Sequence, residues 1–356
     1  MPEALDALTK SLLQAATKAG ADAADAMAIT ASSVSIEVRG GALEQAERSE
    51  GTDIGLRVFV GHCSANVSAS DTSSRTIEEM AERAVAMARE APEDPHSGLA
   101  DPDQLSARRD AEGLELCDPT PEPSPETLQD DAARAEAAAL AVKGVSQVQS
   151  AGAGYGAQKI YLAATNGFEG GYARSERGLS CVAIAGSGTG MERDYDGDSR
   201  IFQTDLRDAG DIGARAGERA LARLGARKPP TGSYPVLFDE RIAASLIGHL
   251  LGAINGQAIS RGASFLRDAM GEQVLPEGLS LIEDPTRIRA TGSRPFDAEG
   301  LPTQQRAIVD KGILQGWTLD LATARKLALA PTGNAARGPS SGPQPSNWNI
   351  ALTQGE

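Results

Sequence analysis

The stretch "SSVSIEVRGGALEQAERSEGTDIGLRVFVGHCSANVSAS", residues 32–70, decides the fold class. Val34, Ile36 and Val38 alternate with other residues, and so do Ile54, Leu56 and Val58; a period of two is the mark of a strand. Gly40-Gly41 and Gly51 punctuate the run, which predicts a small meander of strands. Working outward, Leu5, Leu8, Leu12 and Ala19 recur at helical spacing, so a helix precedes the meander and ends near Gly20. On the other side, Thr76 with Glu79 reads as a capping box ahead of Ile77, Met80, Ala81, Ala84, Val85 and Ala88, which predicts a second helix. Helices packed with antiparallel strands make the fold class α+β.

The pattern then recurs. Ser124 caps a helix that starts at Pro125 and runs to about Val142. "KIYLAATNGFEGGYARSERGLSCVAIAGSGTG" (159–190) follows as strands, with Asn166-Gly167 as a hairpin turn, and a helix covers Ile212 to Leu224. Helix, strands, helix, twice over, hints at an internal duplication within an N-terminal α+β domain, residues 1–228. "GARKPPTGSYP" (225–235) is the boundary, because glycine closes a helix and two prolines follow. The C-terminal domain, 229–356, reads as β-rich with one long glycine-containing helix. A strand is expected at Pro235–Phe238, then the helix capped by Asp239. Strands follow at "LSLIEDP" (279–285) and "QRAIVDKGILQGWTL" (305–319), turning at Asp310-Lys311-Gly312. A short helix at "LATARKLAL" (321–329) and a last apolar run at "WNIAL" (348–352) complete it.

Composition removes whole classes of function. The formal charge is -15, which repels phosphate backbones and anionic lipid, so nucleic acid and membrane are not expected partners. Aromatic residues make up only 4%, too few for a base-stacking platform. Three dispersed cysteines, Cys63, Cys117 and Cys181, build neither a disulfide framework nor a metal knuckle, which suits a reducing compartment. The opening "MPEALDALTKSLLQAATKAGA" carries acids and no continuous apolar core, so the expected location is the cytoplasm.

The long helix, "ASLIGHLLGAINGQAISRG" (244–262), carries the functional question. Ile242, Leu246, Leu250, Ala253 and Ile254 form its apolar stripe, and Ser245, Gly248, His249, Gly252 and Gly256 lie opposite. Each glycine in a helix interior costs roughly 1 kcal/mol relative to alanine. Three in one ridge imply the close approach of another backbone: packing within the domain, a subunit interface, or a groove for an extended peptide. A hydrolytic zinc site needs about three protein ligands, an open position and a general base. If His249 were the second histidine of an HExxxH helix, Ala244 would stand at the first and Ser245 at the glutamate, and neither side chain can do that work. No catalytic residue and no metal ligand is therefore assigned, and no cofactor is expected in this chain.

Other constellations are weaker. "GSGTG" (186–190) reads as a turn, not a phosphate cradle, and Ser264 sits in no nucleophile elbow. Asp284, Arg294, Asp297 and Glu299 share one loop; paired carboxylates could serve acid–base chemistry there, but Arg294 is expected to neutralise one of them structurally. Asn334 and Arg337 stand among glycines, suited to backbone or carboxylate contacts. Ser245, Gly248, His249, Gly252, Arg294, Asn334 and Arg337 are thus the candidates for a substrate or partner cleft.

"YPVLFDERIAASLIGHLLGAINGQAISRGASFLRD", "IEDP", "GSRPFDAEGLPT", "KGILQGWTLDLATARKLAL" and "TGNAARG", with "GTDIGLRVFVG" and "ATNGFEGGY" in the first half, resemble the TldD/PmbA family, the modulators of DNA gyrase. The closer similarity is to its PmbA (TldE) branch, and it covers essentially the whole chain. The resemblance implies a cytoplasmic protein that pairs with a TldD-like subunit, which carries HExxxH and the zinc. The assembled metalloprotease trims or degrades unfolded peptides inside a chamber. It also implies that the C-terminal domain is incomplete, since family members continue into more β structure. Two rival readings stay open: an autonomous metallopeptidase with unconventional ligands such as His249, and a non-enzymatic peptide-binding homodimer.

Overall fold

A computed structural model describes residues 4–353. Its N-terminal half follows the order α1 (Leu5–Ala19), β1 (Ala23–Arg39), β2 (Ala42–Val60), β3 (Cys63–Ala69), α2 (Ser74–Glu90), then α3 (Pro125–Ala141), β4 (Val145–Ala164), β5 (Glu169–Ala185), β6 (Glu192–Arg200) and α4 (Ala209–Ala222). Helix, three strands, helix occurs twice. The six strands form one antiparallel sheet in the order β3-β2-β1-β4-β5-β6, so the two halves meet where β1 pairs with β4.

One face of this sheet carries all four helices. Ala24, Ala26 and Ala28 of β1 pack with Ile54, Leu56 and Val58 against Leu8, Leu12, Met80 and Val85 of α1 and α2. Ten residues along β1 the same alternation brings Val34 and Ile36 against Leu128, Ala132 and Ile212 of α3 and α4. Fully burying each leucine, isoleucine or methionine is worth roughly 1.5–3 kcal/mol, so the layer of helices is what holds the long strands in register. Glu136 of α3 reaches the β1–β2 hairpin and accepts from the backbone N–H groups of Gly40 (2.6 Å) and Gly41 (2.8 Å). That carboxylate satisfies two turn donors that the ladder cannot.

The second face is covered by the C-terminal unit at the end of β1 that holds Asp25 and Met27. Met27 and Leu162 pack there with Phe168 and Phe296, whose rings meet edge-on at 4.9 Å. Gly55 of β2 is required at this seam: a Cβ there would lie 2.2 Å from the carbonyl oxygen of Pro339.

The C-terminal unit comprises α5 (Glu240–Ala253), α6 (Gly256–Ser260), β7 (Leu281–Glu283), β8 (Arg306–Asp310), β9 (Ile313–Leu314), α7 (Leu321–Lys326), β10 (Ala335–Ala336), β11 (Gln344–Pro345) and β12 (Ile350–Leu352). Its strands form two small antiparallel sheets, β12-β7-β8-β9 and β10-β11, joined by long loops. Ile254, Leu281, Ile308, Val309 and Trp317 are its core.

Four local expectations change. The cap of α2 is Ser73, whose side chain accepts from the Thr76 N–H, so Thr76 lies inside the helix and the Thr76/Glu79 box is not used. Gly51 lies within β2, paired with Ala31, and turns nothing. Pro235–Phe238 forms no strand and pairs with none among the described residues, and Leu237 is 97% exposed. The long helix breaks after Ala253: Ile254 leaves helical geometry, and Asn255 caps α6 by accepting from the Gln257 N–H.

Candidate functional site

The capping residue Asp239 accepts from the Arg241 N–H at 3.0 Å. Arg241 reaches Asp194 of β6 at 2.7 Å, while Arg215 and Arg219 of α4 bind Glu240. These pairs tie the start of α5 to the N-terminal half. They border a cleft of about 1080 Å³ that also runs over Gly154, Gly178 and Gly197 of the sheet. The far end of α5 is held differently: Ile247, Leu250 and Leu251 lean on the C-terminal core, and Ile254 enters it. Ile242 and Leu246, expected on the buried stripe, are exposed instead.

Between these anchors Ser245, Gly248, His249 and Gly252 share one exposed face, as spacings of three and four residues require. Ser245 donates to the Ile242 carbonyl at 2.6 Å. A Cβ added at Gly248 or at Gly252 would meet nothing within 4 Å. Gly256 behaves otherwise. It opens α6, donates to the Thr318 carbonyl at 2.8 Å, and leaves no room for a Cβ, which would sit 2.8 Å from that oxygen. The three glycines are therefore no continuous ridge: Gly256 packs within the chain, and Gly248 and Gly252 leave bare helix facing outward.

The metal-donor chemistry of this face is poor. It offers one imidazole and one hydroxyl, and Ala244 contributes no donor. His62 lies in the turn after β2 and His96 in the loop after α2. Among the described residues no group of three His, Cys, Asp or Glu side chains could hold a metal ion. These residues do not fit a hydrolytic zinc site.

Arg294, Asn334 and Arg337 lie elsewhere, in the loops that join the C-terminal unit to the sheet. Asn334 donates to Glu283 Oε1 at 2.9 Å and to the Ser346 carbonyl at 2.7 Å. The same carboxylate accepts from the Trp348 N–H and, through its second oxygen, from Arg306 at 2.7 Å. Arg294 makes no close ion pair among the described residues, though its charge favours the ionised form of Asp297; its guanidinium stacks on the Trp348 ring at 3.3 Å. Burial there pulls its pKa down to about 10.

Arg337 joins a network that the sequence did not single out. Asp25 and Arg57 face each other across β1 and β2. Arg57 donates to Asp25 Oδ2 from Nε (2.8 Å) and Nη2 (2.5 Å), and Arg337 donates to Oδ1. Glu299 Oε1 stands 3.8 Å from Arg57 Nη1, and its Oε2 accepts from the Leu321 N–H. Burial works against the charged form of Asp25, but Arg337 and Arg57 outweigh it and keep the carboxyl below its usual range. Burial raises Asp297 to about 6 and Glu299 to about 8. Asp297 is also fully enclosed, accepting from the N–H groups of Glu299, Leu301 and Ala335. Buried this way, the two acids hold loops in place. They offer no open carboxylate pair. Arg337 keeps Nε and Nη2 buried without a partner, which is costly and makes its position sensitive to Asp25. A lone arginine in the apolar run "IGLRVFV" was the available signal; Asp25, in an alanine-rich stretch of low strand propensity, gave none.

Comparison with known proteins places this architecture. Residues 24–88, 118–224 and 231–356 match domain 1, the central domain and the C-terminal domain described as PmbA/TldA metallopeptidase. Metalloprotease PmbA of Escherichia coli O157:H7 is 35% identical over 93% of this chain and 71% of its own length. A homolog of Metalloprotease PmbA in Haemophilus influenzae is 34% identical over 91% and 71%. The crystal structure of a protein described as a modulator of DNA gyrase from Bacteroides thetaiotaomicron superposes with a TM-score of 0.89 at 25% identity, covering 98% of this chain and 77% of that one. TldE from Thermococcus kodakarensis shares the fold, with a TM-score of 0.79 at 18% identity over 98% of this chain and 78% of its own.

Proposed function

The chain belongs to the PmbA/TldD metallopeptidase family, and from that premise we propose that it is the subunit without zinc in a two-component cytoplasmic peptidase. The partner is a TldD-like chain that carries HExxxH and brings the metal. The substrates are unfolded peptides. One observation carries the reading: α5 is pinned at both ends yet turns Ser245, Gly248, His249 and Gly252 outward, with no carboxylate to act as base and no set of metal donors.

Two helical glycines that meet nothing lower the stability of the lone chain, and their cost is offset if another backbone lies against them. Tyr234, Val236, Leu237, Ile242 and Leu246 are exposed close by in sequence, a concentration of apolar side chains suited to burial against a partner. In this reading the chain contributes wall and assembly contacts, and the water that attacks the amide belongs to the other subunit. Among the described residues no helix is long and apolar enough to cross a membrane. Co-expression with an HExxxH paralogue tests the proposal. A stable complex that hydrolyses unfolded peptide, where neither chain does so alone, is the expected result; two chains that stay separate at micromolar concentration refute it.

A further inference from the structure

The hairpin of β1 and β2 extends beyond the strand that borders it. β3 pairs with β2 only from Ile54 to Val60, whereas β1 pairs with β2 along its whole length. From Ala42 to Asp53 the second edge of β2 has no neighbouring strand among the described residues, a run of roughly 40 Å at strand rise. Its side chains are exposed throughout, Thr52 excepted at half-burial. Natural sheets protect such edges with lysines, prolines or short strands, because a row of free N–H and C=O groups invites another chain. This edge has neither lysine nor proline; what guards it is its acidic charge and one bulge where β2 passes Glu37 and Val38 of β1.

Its charge selects what can pair there. Within 42–53, Glu44, Glu47, Glu50 and Asp53 outnumber Arg48, which is held by Glu50 at 2.6 Å and by Glu122. Glu44 pairs with Arg39 of β1 at 3.2 Å and Asp53 accepts from Ser70, so the acidic excess centres on Glu47 and Glu50. A second copy of the same edge would bring carboxylates together, and like charges on paired strands are destabilising. A basic strand would gain instead, roughly 0.2–1 kcal/mol for each opposed pair. We propose that the free edge of β2 captures an unfolded basic peptide as an added strand, running in line with β3 and antiparallel to β2. Main-chain hydrogen bonds supply the affinity in this mode, and alternate side chains the selectivity. The inference names the substrate class of the peptidase and rests on that reading for its purpose; the binding itself belongs to this chain alone.

The test uses the full chain without any partner and a fluorescein-labelled dodecapeptide of alternating lysine and threonine, followed by anisotropy. Binding is expected with a Kd on the order of 10–100 µM at low salt, weakening as salt is added. The glutamate–threonine counterpart and a lysine–threonine peptide N-methylated at alternate amides should each bind at least about tenfold more weakly, as should the E47K/E50K double variant. Those two residues are exposed, so circular dichroism should show the variant folded. Equal binding of the acidic peptide, equal binding of the N-methylated peptide, or no binding of the basic peptide each overturns the proposal. Failure of the two-subunit complex to form would leave these results untouched, so the two readings fail separately.

Discussion

Replacing Asp25 by alanine removes the one anion shared by Arg57 and Arg337, whose side chains are 11% and 3% exposed. Two guanidinium groups then stay buried, with the Glu299 carboxyl, 3.8 Å from Arg57, and Asp320 as the remaining acids that act on Arg57. Breaking a buried pair by deleting one partner costs about 3–5 kcal/mol, because the survivor is left uncompensated. In a chain this long that corresponds to a fall in Tm of roughly 4–7 °C. The loss should also be local, since Arg337 carries the loop after β10 while Asp25 and Arg57 belong to the sheet. Hydrogen exchange in residues 333–346 should accelerate more than in β4 or β5. A double-mutant cycle of Asp25→Ala with Arg337→Ala should give a coupling above about 1 kcal/mol. A stability loss under about 1 kcal/mol, with exchange in the loop unchanged, would refute the reading that Asp25 holds Arg337, and with it the loop after β10, against the sheet.

Burial raises Glu299 to about 8, so the folded chain binds its proton more tightly than the unfolded chain does. The stability from this group is therefore present in acid and is lost as pH rises from the usual glutamate value through 8, with a slope of at most about 1.4 kcal/mol per pH unit. Glu299→Gln should flatten that decline in urea titrations between pH 5 and 8.5; an unchanged pH profile would contradict it. Gly248→Ala with Gly252→Ala should stabilise the isolated chain by up to about 2 kcal/mol, while weakening assembly with an HExxxH subunit in pull-down titrations. Stabilisation with full assembly would remove the helix face from the interface. Gly55→Ala places a methyl group 2.2 Å from the Pro339 oxygen and should cost about 1–3 kcal/mol, read as a lower urea midpoint.

Alternation and capping residues were enough to find the helices and most strands, and the resemblance of the second half supplied the family. What the sequence concealed has local causes. Alanines 24, 26 and 28 are poor strand formers, yet they fit beneath α1 and α2, so β1 starts at Ala23, nine residues before the period-two run at Ser32. Packing overrode propensity there. Thr76 looked like a cap because Glu79 followed it, but Ser73 is nearer the true helix start and takes the Thr76 N–H. A helical wheel put Ile242 and Leu246 inside, whereas ion pairs from Arg215, Arg219 and Arg241 seat the start of α5 without burying them. The candidate residues divided because periodicity places a side chain on a face and says nothing of what lies opposite. Ser245, Gly248, His249 and Gly252 look outward, while Asn334 and Arg337 bind acids distant in sequence, Glu283 and Asp25.

Metal content and peptide hydrolysis should be measured side by side on the purified chain, on an HExxxH paralogue, and on their mixture. The expected result is zinc in the paralogue and the mixture, no stoichiometric metal in this chain, and hydrolysis in the mixture only. A tightly held transition metal in the isolated chain, with chelator-sensitive cleavage of unfolded peptide, would contradict the assignment of this chain as the subunit without zinc.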